Sequence, residues 1–385
     1  MGWNWQKPDW PNFRWDTRRL VLAEREFLIS GGVLAGSIKH LGSEESQQLA
    51  VETMSTEAVA TSEIEGEVLD RASVQSSIRR QLGLATDKRK AGPAEEGIAQ
   101  MMVDLFRSWS APLSETMLCD WHTMLMRGRK DLIDVGRYRT SREPMQIVSG
   151  RVDDPTVHFE APPSSQVPAE MSRFIEWFNR TAPDGSEPFP GLTRAGVAHL
   201  YFESIHPFED GNGRIGRALA EKAFSQSLGQ ATLTSLASAI LACRKSYYLA
   251  LEAATQGNEI TGWLAWFGGI ALEAQRRTLA LVGFLIEKTR LLDRLKGRIN
   301  DRQEKVLLHM LREGPEGFKG GMSAGKYATI TGASPATTTR DLADLVDKNV
   351  LVRQGELRHT RYHLDLPLQA VKHLSINARG EIVET

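Results

Sequence analysis

The 385-residue sequence contains only two cysteines, Cys119 and Cys243, and they lie far apart along the chain. A pair this sparse argues against a small disulfide-stapled scaffold and favours a reducing compartment. Long apolar runs are missing too: WLAWFGGIALEA at 263–274 is shorter than the roughly 18 residues that a membrane-spanning helix needs. The N-terminus has no apolar stretch of the signal-peptide type. We therefore expect a cytoplasmic protein without a membrane partner.

Charge of one dominant sign is also absent, since 47 lysines and arginines stand against 48 aspartates and glutamates, for a net charge of −1. No global field would draw nucleic acid to the chain, so any such surface must be a local patch. Two nucleotide-binding signatures are missing as well: the P-loop, GxxxxGK(S/T), and a GxGxxG turn after a strand. The length predicts two or three globular domains.

Aromatic residues crowd the N-terminal segment, residues 1–45, where the first fifteen positions hold four of the nine tryptophans. Two prolines between them prevent a regular helix. So large an aromatic area needs a packing partner, which we expect to be the rest of the chain; a second copy, and thus a homodimer, is the alternative. The tryptophans are Trp3, Trp5, Trp10 and Trp15.

Helical spacing of apolar residues runs through residues 46–290, which we expect to form a mostly α core, with one helix over 46–69. The segment 135–163 differs, because MQIVSG and TVHFEA are typical of two short strands around an RVDD turn. From residue 295, three helical segments precede the alternating stretch VLVRQGELRHTRYHL. This order predicts a winged helix-turn-helix domain over 295–385.

The stretch HPFEDGNGRIGR at 206–217 concentrates charge and glycine between two helical segments. Gly211 and Gly213 let backbone N–H groups turn inward, and such groups at the start of a helix form an anion site. Arg214 and Arg217 lie one helical turn apart, so both can face the same anion. This concentration of donors suits a polyphosphate better than a single phosphate.

Two other residues of this loop carry chemistry. Asp210 offers a hard carboxylate that suits Mg²⁺, which usually binds through one or two carboxylates and phosphate oxygens. His206, at the other end of the loop, can accept a proton from an incoming hydroxyl. The pattern predicts activation of a nucleophile beside a metal-bound polyphosphate, and a glycine-rich turn with surface arginines is the structural alternative.

The same twelve residues resemble the Fic-domain signature, His-Pro-Phe-x-(Asp/Glu)-Gly-Asn-Gly-Arg-x-x-Arg, at every fixed position. The resemblance covers residues 50–290. It implies a mostly helical core with a β-hairpin flap, and transfer of AMP from ATP, with Mg²⁺, to a Ser, Thr or Tyr hydroxyl of a target protein. It also makes His206 the general base, Phe208 the anchor of the loop and Asp210 the metal ligand. The residues that it assigns to the phosphates are Gly211, Asn212, Gly213, Arg214 and Arg217.

The hairpin at 135–163 resembles the flap of that family, whose exposed edge pairs with an extended target segment. Ile147 and Val148 would then cover the nucleotide, and a hairpin that only caps the helices is the alternative. RKSYYLALEAA matches the region where the family places paired tyrosines near adenine. Tyr247 and Tyr248 are therefore nucleotide candidates, with core packing as the alternative. An asparagine that the family often has farther along is replaced here by threonine, which weakens that base contact.

The stretch TSEIEG resembles the inhibitory motif of Fic proteins, (Ser/Thr)-x-x-x-Glu-(Gly/Asn), with Thr61, Glu65 and Gly66 in register. By this resemblance Glu65 reaches the nucleotide site, where its carboxylate pairs with Arg217 and competes with the γ-phosphate of ATP. A solvated glutamate on a helix surface is the alternative. The opening segment, WNWQKPDWPNFRWD, resembles a small module often found before such cores.

The remaining histidines give a plainer prediction. We expect His199 to be a core residue. His122 and His158 have no partners at ligand spacing, so no zinc site is predicted.

The sequence as a whole predicts an autoinhibited protein AMP transferase that also modifies itself. One rival is a hydrolase that removes AMP from proteins, in which Glu65 would orient water. A second rival is a DNA-binding regulator acting through the winged helix, although three aspartates, Asp341, Asp344 and Asp347, share its third helix, and such domains also bind protein partners. The residues that would face DNA are Thr337, Thr338, Thr339, Arg340, Arg353, Arg358, His359 and Arg361.

Overall fold

A computed structural model describes residues 2–39, 41–86, 89–151, 154–232, 234–312, 314, 318, 320–367 and 371–384. The chain divides into two compact units. The first comprises Met1–Gly36, Ala50–Arg277 and Lys372–Thr385, and it contains every candidate residue for nucleotide, metal and catalytic roles named above. The second comprises Ser37–Leu49 and Thr278–Val371. Within the described ranges, no helix is both long enough and apolar enough to cross a lipid bilayer.

The fold is mostly helical, as predicted. Among the described residues, three short antiparallel hairpins accompany the helices, formed by β1 with β2, β3 with β4, and β5 with β6. The helices are α1 (Val21–Lys39), α2 (Ser43–Ile64), α3 (Arg71–Gln81), α4 (Pro93–Arg107), α5 (Glu115–Leu125), α6 (Val167–Arg180), α7 (Gly191–Ile205), α8 (Asn212–Leu228), α9 (Leu236–Ala242), α10 (Arg244–Ala254), α11 (Thr261–Leu295), α12 (Asp301–Leu311), α13 (Ala324–Thr331) and α14 (Pro335–Asp347). The strands are β1 (Gln146–Arg151), β2 (Asp154–Glu160), β3 (Leu351–Gln354), β4 (Arg361–Leu364), β5 (Leu374–Ile376) and β6 (Ile382–Glu384).

The N-terminal tryptophans pack inside the first unit, which confirms the prediction of intramolecular docking. Trp10 meets Tyr201 of α7 edge to face, with ring centroids 5.1 Å apart. The Trp5 indole donates a hydrogen bond of 2.6 Å to the backbone oxygen of Glu160 at the end of β2. Because aromatic rings bury large areas and their polar atoms find partners, these contacts tie the segment to the core and to the hairpin.

Helix α7 is the centre of the first unit, because all 15 of its residues are buried. A helix buried on every side must satisfy its polar groups internally. Arg194 does so by donating to the carbonyl oxygen of Phe178 at 2.7 Å, and its guanidinium also lies over the Phe178 ring. His199 pairs with the Tyr247 hydroxyl at 2.9 Å, so the expected core histidine is confirmed.

Helix α2 ends at Ile64, five residues before the predicted end at 69. The position of this end sets the direction in which the TSEIEG segment leaves the helix. Gly66 adopts a left-handed conformation with φ 85°. The N–H of Glu67 bonds the carbonyl of Ser62 at 3.0 Å, and that of Gly66 bonds Glu63. A glycine in this conformation, with hydrogen bonds that reach back over the last turn, is a common helix stop. Propensity alone predicted continuation because charged residues on either side of the glycine favour helix.

The flap hairpin is present as predicted, with β1 and β2 pairing antiparallel from Gln146 opposite Glu160 to Arg151 opposite Asp154. The ladder shifts register between Ile147 and Val148, a β-bulge. Of the predicted turn, Val152 and Asp153 lie outside the described residues.

A second feature of the first unit, the hairpin of β5 and β6, was not predicted. Its strand β5 lies against α11, where a β-carbon on Gly269 would meet the backbone of Leu374 and Ser375. The Glu273 carboxylate accepts hydrogen bonds from His373, at 2.7 Å, and from the N–H of Leu374. Three-residue strands carry too little period-2 pattern to be recognised in a sequence.

The second unit has its own apolar core, which includes Tyr327, Leu342 and Leu345. Asp341, counted among the surface acids of α14, is buried and accepts hydrogen bonds from Arg302 at 2.9 Å and from the Tyr327 hydroxyl at 3.0 Å. Thr338 is also buried, so it cannot face DNA as predicted. Both belong to the face of α14 that packs on the core.

Gly97 of α4 offers a test of this packing. A β-carbon there would collide with the Met124 carbonyl at the end of α5. We expect Gly97→Ala to destabilise the protein by about 1–3 kcal/mol, because backbone must move to make room. The matched control is Gly32→Ala in α1, where no atom lies within 4 Å of the added carbon. The control should be neutral or stabilising by up to about 1 kcal/mol. Urea denaturation followed by circular dichroism measures both, and equal midpoints would contradict the packing described.

Candidate active site

The loop that follows α7 begins at His206, whose backbone adopts φ 50° and ψ 60° at the end of the helix. A left-handed residue that is not glycine is uncommon and must be held by its surroundings. Phe208 supplies part of that hold, since it is fully buried and stacks on His122 with centroids 4.2 Å apart. This confirms the predicted anchor and explains why His122 is a packing residue.

Arg139 holds the same loop from the other side, and sequence analysis missed it. Its buried guanidinium donates to the carbonyl oxygens of His206 at 2.8 Å and Pro162 at 2.6 Å, and to the Ser164 hydroxyl at 2.9 Å. Burial lowers the pKa of Arg139 to about 10. This side chain ties the loop at 206–217 to the segment that follows the flap. No local pattern marks it, because its partners are distant backbone carbonyls.

The side chain of Asn212 closes the loop at 206–217 and does not turn toward the predicted anion site. The Asn212 amide accepts from the N–H of Phe208 at 3.0 Å and donates to the Phe208 carbonyl at 2.8 Å. Its contribution to the predicted anion site is therefore its backbone N–H, at the first position of α8. Gly211 precedes it with φ 83°, a conformation that glycine adopts without steric cost.

The start of α8 has the features of an anion site, in that helix N-termini concentrate free N–H groups and positive potential. No side chain caps the helix. Arg214 and Arg217 are both buried on its first turns. The space beside Gly213, where an anion would lie, is already filled by the carboxylate of Glu65, since a β-carbon at Gly213 would collide with that carboxylate.

Glu65 lies on Arg217, as the TSEIEG motif predicted. The Arg217 guanidinium donates to the Glu65 carboxylate at 2.7 Å, to the Thr61 hydroxyl at 2.7 Å and to the Thr61 carbonyl at 3.0 Å. Its Nη1 atom is buried and has no hydrogen-bond partner among the described residues. Burial would lower the pKa of Arg217, but the Glu65 carboxylate, together with Tyr247 and Glu203, outweighs the effect of burial and raises that pKa. The helix-surface alternative for Glu65 is therefore wrong.

A second acid, Glu67, pairs with the second arginine, and the sequence did not reveal it. Arg214 donates to Glu67 at 2.8 Å and to Asp210 at 3.2 Å. Asp210 also accepts from Arg129 at 2.6 Å. Two acids from the end of α2 thus occupy both arginines of the loop. The signal lay in the spacing Glu65-x-Glu67 around the helix-terminating glycine.

His206 faces a buried acid of its own. Its Nδ1 lies 3.6 Å from the Glu203 carboxylate, longer than a hydrogen bond, and is otherwise unpartnered among the described residues. Burial would raise the pKa of Glu203, but the His206 imidazole, together with His199 and Arg217, holds it below its usual value. Because Nδ1 of His206 faces this acid, Nε2 is the ring nitrogen left to take a proton from another group.

The two tyrosines predicted to contact the nucleotide, Tyr247 and Tyr248, differ in their exposure. Tyr247 is a buried core residue whose hydroxyl is bonded to His199, so it presents no surface to a nucleotide. Tyr248 is 40% exposed, and its hydroxyl donates to the carbonyl of Ile64 at 3.0 Å. Ile147 and Val148 of the flap are also exposed. The three exposed residues remain available to a ligand.

The predicted metal ligand, Asp210, has a side chain that is about one-third exposed beside the helix start. Its neighbour Glu209 is committed elsewhere, accepting from the N–H groups of Ile133 at 2.8 Å and Asp134 at 2.9 Å. The described residues contain no cluster of three or more His, Cys, Asp or Glu side chains that could hold a metal by itself. One carboxylate beside a phosphate site nevertheless fits Mg²⁺, which takes its other ligands from phosphates and water.

Comparison with known proteins agrees with this geometry. The profile of the Fic/DOC family matches residues 112–223, and the chain therefore contains a Fic domain. A domain of unknown function, DUF4172, matches residues 3–84, the stretch that includes Glu65 and Glu67.

Among curated proteins, "Protein adenylyltransferase fic-1" of Caenorhabditis elegans is 27% identical over 131 residues, which are 34% of this chain and 22% of the relative. The chain thus spans about a fifth of that relative's length. A Fic family protein from Desulfovibrio desulfuricans is similar in structure, with TM-score 0.51, 20% identity and coverage of 89% of this chain and 95% of that one. A Fic domain containing signaling protein from Bacteroides thetaiotaomicron gives TM-score 0.50 and 16% identity, covering 68% and 97%. These structures establish likeness of fold.

Two buried acids lie near the pair of Glu65 and Arg217 along the chain: Glu57 is about two helical turns before Glu65, and Glu221 is one turn after Arg217. Glu57 of α2 accepts from the N–H groups of Ala237 at 2.6 Å and Ser238 at 3.2 Å. Glu221 of α8 accepts from the N–H of Thr234 at 3.0 Å. Burial raises the pKa of Glu57 to about 7, and burial together with Glu57 raises that of Glu221 well above its usual value.

This pair predicts a pH dependence of stability. A carboxyl whose pKa is raised in the folded state stabilises the fold below its unfolded pKa, and that stability is lost as pH rises through the folded value. The free energy of unfolding should therefore fall by about 2–4 kcal/mol between pH 4.5 and pH 7.5. Urea titrations in Glu57→Gln/Glu221→Gln should show a flatter profile. Exposed Glu63→Gln is the control, and an unchanged slope in the double variant would contradict the assignment.

Proposed function

We propose that this chain is an autoinhibited protein AMP transferase, which moves AMP from ATP to a Ser, Thr or Tyr hydroxyl of a target protein and of itself. One observation carries the proposal: a buried imidazole, His206, and two buried arginines, Arg214 and Arg217, flank the same helix start. That arrangement joins a proton acceptor to a polyphosphate cradle, and the Fic domain and the adenylyltransferase relative support it.

In this proposal the target hydroxyl attacks the α-phosphorus of ATP, and pyrophosphate leaves. His206 accepts the hydroxyl proton at Nε2, while its Nδ1 atom faces the Glu203 carboxylate at 3.6 Å. Arg139 positions His206 through the carbonyl of that residue. Catalysis comes mainly from positioning and from neutralising phosphate charge.

Arg214, Arg217 and the N–H groups at the start of α8 would hold the phosphates. Asp210 would hold Mg²⁺, which when bound supplies neutralisation of phosphate charge. To do so Asp210 must release Arg129, which now bonds it at 2.6 Å. Gly213 leaves the cradle open on the side where Glu65 now lies.

The flap would supply the target site. Its edge can pair with an extended segment of the target protein, and Ile147 and Val148 would lie over the nucleotide. Of the two tyrosines, only Tyr248 has the exposed surface for a base contact.

Autoinhibition is supported by both carboxylates of the α2 end. Glu65 bonds Arg217 at 2.7 Å and Glu67 bonds Arg214 at 2.8 Å, so each arginine that would bind a phosphate already has an anionic partner. Charge-assisted pairs in a partly dry site are strong. ATP must displace them to bind in a reactive pose.

The winged helix remains part of the proposal, as the second unit runs α12, α13, α14 and the β3–β4 hairpin in the order typical of that domain. With Thr338 and Asp341 buried, a DNA-facing surface on α14 would depend on Thr339 and Arg340, which are exposed. A protein partner is equally compatible with this surface.

The proposal is tested by Glu65→Gly, which frees Arg217 for the γ-phosphate. Self-labelling with α-³²P-ATP should rise at least about tenfold over wild type. Adding His206→Ala should lower the labelling of every hydroxyl that uses this base by at least about 100-fold. Glu67→Gln in the Glu65→Gly background should raise labelling further.

The matched control is Glu63→Gly, since Glu63 is an exposed acid in the last turn of α2. It should leave labelling at the wild-type level. If Glu65→Gly gains no transfer but loses the ability to remove AMP from a modified protein, the hydrolase is the better description. If it changes neither, the inhibitory role is wrong.

A further inference from the structure

The flap carries a second cluster of reactive side chains, apart from the loop at 206–217. The Ser149 hydroxyl on β1 lies 2.5 Å from Nε2 of His158 on β2. The other ring nitrogen of His158, Nδ1, lies 3.2 Å from the Glu252 carboxylate on α10. A hydroxyl, an imidazole and an acid in this order are the parts of an activated nucleophile.

The β-bulge explains how His158 reaches both partners. In the ladder Ile147 pairs with Phe159 and Val148 with Val157, so His158 is the extra residue of β2. Bulges bend a strand and re-aim a side chain, and they are frequent beside active sites. Glu252 fixes the imidazole with the proton on Nδ1, which leaves Nε2 free to accept the proton of Ser149.

The cluster is open to an incoming electrophile. Ser149 is exposed, and His158 and Glu252 line a cavity of about 650 Å³. The other residues that line it are Trp3, Val157, Leu249, Ala253 and Gln256. Since no lysine or arginine is among these residues, the cavity itself has no cation for a phosphate chain. A phosphate donor must therefore be held elsewhere, and the cluster supplies the acceptor.

We propose that Ser149 is a self-modification site, an activated acceptor on the flap that receives AMP from ATP held in the loop at 206–217. The Ser149 oxygen forms a bond to the α-phosphorus, the bond from that phosphorus to the pyrophosphate oxygen breaks, and pyrophosphate leaves with the electron pair. The hydroxyl proton passes to Nε2 of His158. Ser149 directly follows Val148, the residue expected over the nucleotide. This inference rests on the AMP transfer proposed above.

Trypsin makes the test unambiguous, because cleavage after Arg142 and Arg151 yields EPMQIVSGR, in which Ser149 is the only hydroxyl. Full-length Glu65→Gly protein is incubated with ATP and Mg²⁺, digested and measured by mass spectrometry. We expect AMP on this peptide at a level at least about tenfold above peptide 152–173. That neighbour contains Thr156, an exposed hydroxyl directly opposite Ser149 in the ladder, and so serves as an internal control.

Two further variants separate activation from mere exposure. His158→Gln should lower AMP on EPMQIVSGR at least about tenfold, because glutamine can hydrogen-bond but cannot take the proton. Glu252→Gln should lower it less, and Thr156→Ala should leave it unchanged. Total AMP on other peptides should stay constant in all three, which also shows that the variants fold.

The outcomes distinguish the two proposals. If other peptides carry AMP but EPMQIVSGR does not, or if its labelling is unchanged in His158→Gln, the assignment of Ser149 is wrong and AMP transfer stands. If no peptide carries AMP, the proposed transfer fails and the modification site fails with it.

Discussion

The site depends on two guanidinium groups that are buried at the start of one helix. Arg214 and Arg217 have little access to water, and a buried charge without a partner is strongly destabilising. Something anionic must therefore lie on them in every state of the protein. With Glu65 and Glu67 as the partners, the arginines are neutralised by the chain itself; with a nucleotide present, phosphate would replace the acids. Inhibition and ligand binding then both meet the need of these arginines for an anionic partner. A short acidic segment at the end of α2 can therefore control a loop about 150 residues away.

The rest of the unit keeps this arrangement in place. Helix α7 is buried throughout and ends in a left-handed His206, while the neighbouring Phe208 and Asn212 close the loop internally. Arg139 links that loop to the end of the flap through backbone carbonyls. Because these supports are side chains locked by packing and hydrogen bonds, the imidazole and the helix start have a fixed relation before any ligand arrives. The part left exposed is the flap, where Ile147, Val148 and Ser149 face solvent.

The residues that sequence analysis found are those whose chemistry is local. The loop at 206–217 concentrates its donors within twelve positions, and TSEIEG is a short motif. The hairpin and most helices follow from apolar spacing. What it missed depends on pairing between residues that are distant in sequence. Arg139 binds backbone carbonyls, and Glu67 meets Arg214 only because the chain turns at Gly66. Tyr247 is buried because it packs against α7, which is itself buried on every side. Nor could spacing reveal the contact of Ser149 with His158, because a bulge created it. Hydrophobic periodicity predicts elements, whereas polar contacts between elements are set by the packed fold.

The central claim, that Glu65 and Glu67 occupy the place of phosphates, can be measured without any catalytic assay. Isothermal titration calorimetry of pyrophosphate, in the absence of Mg²⁺, compares wild type with Glu65→Gln/Glu67→Gln, in which the side-chain shape is kept and both negative charges are removed. The account predicts that the double variant binds pyrophosphate at least about tenfold more tightly, and that Arg217→Ala in the same background removes the gain. Equal affinities in wild type and double variant would show that the two acids do not compete for the anion site, and would contradict the account.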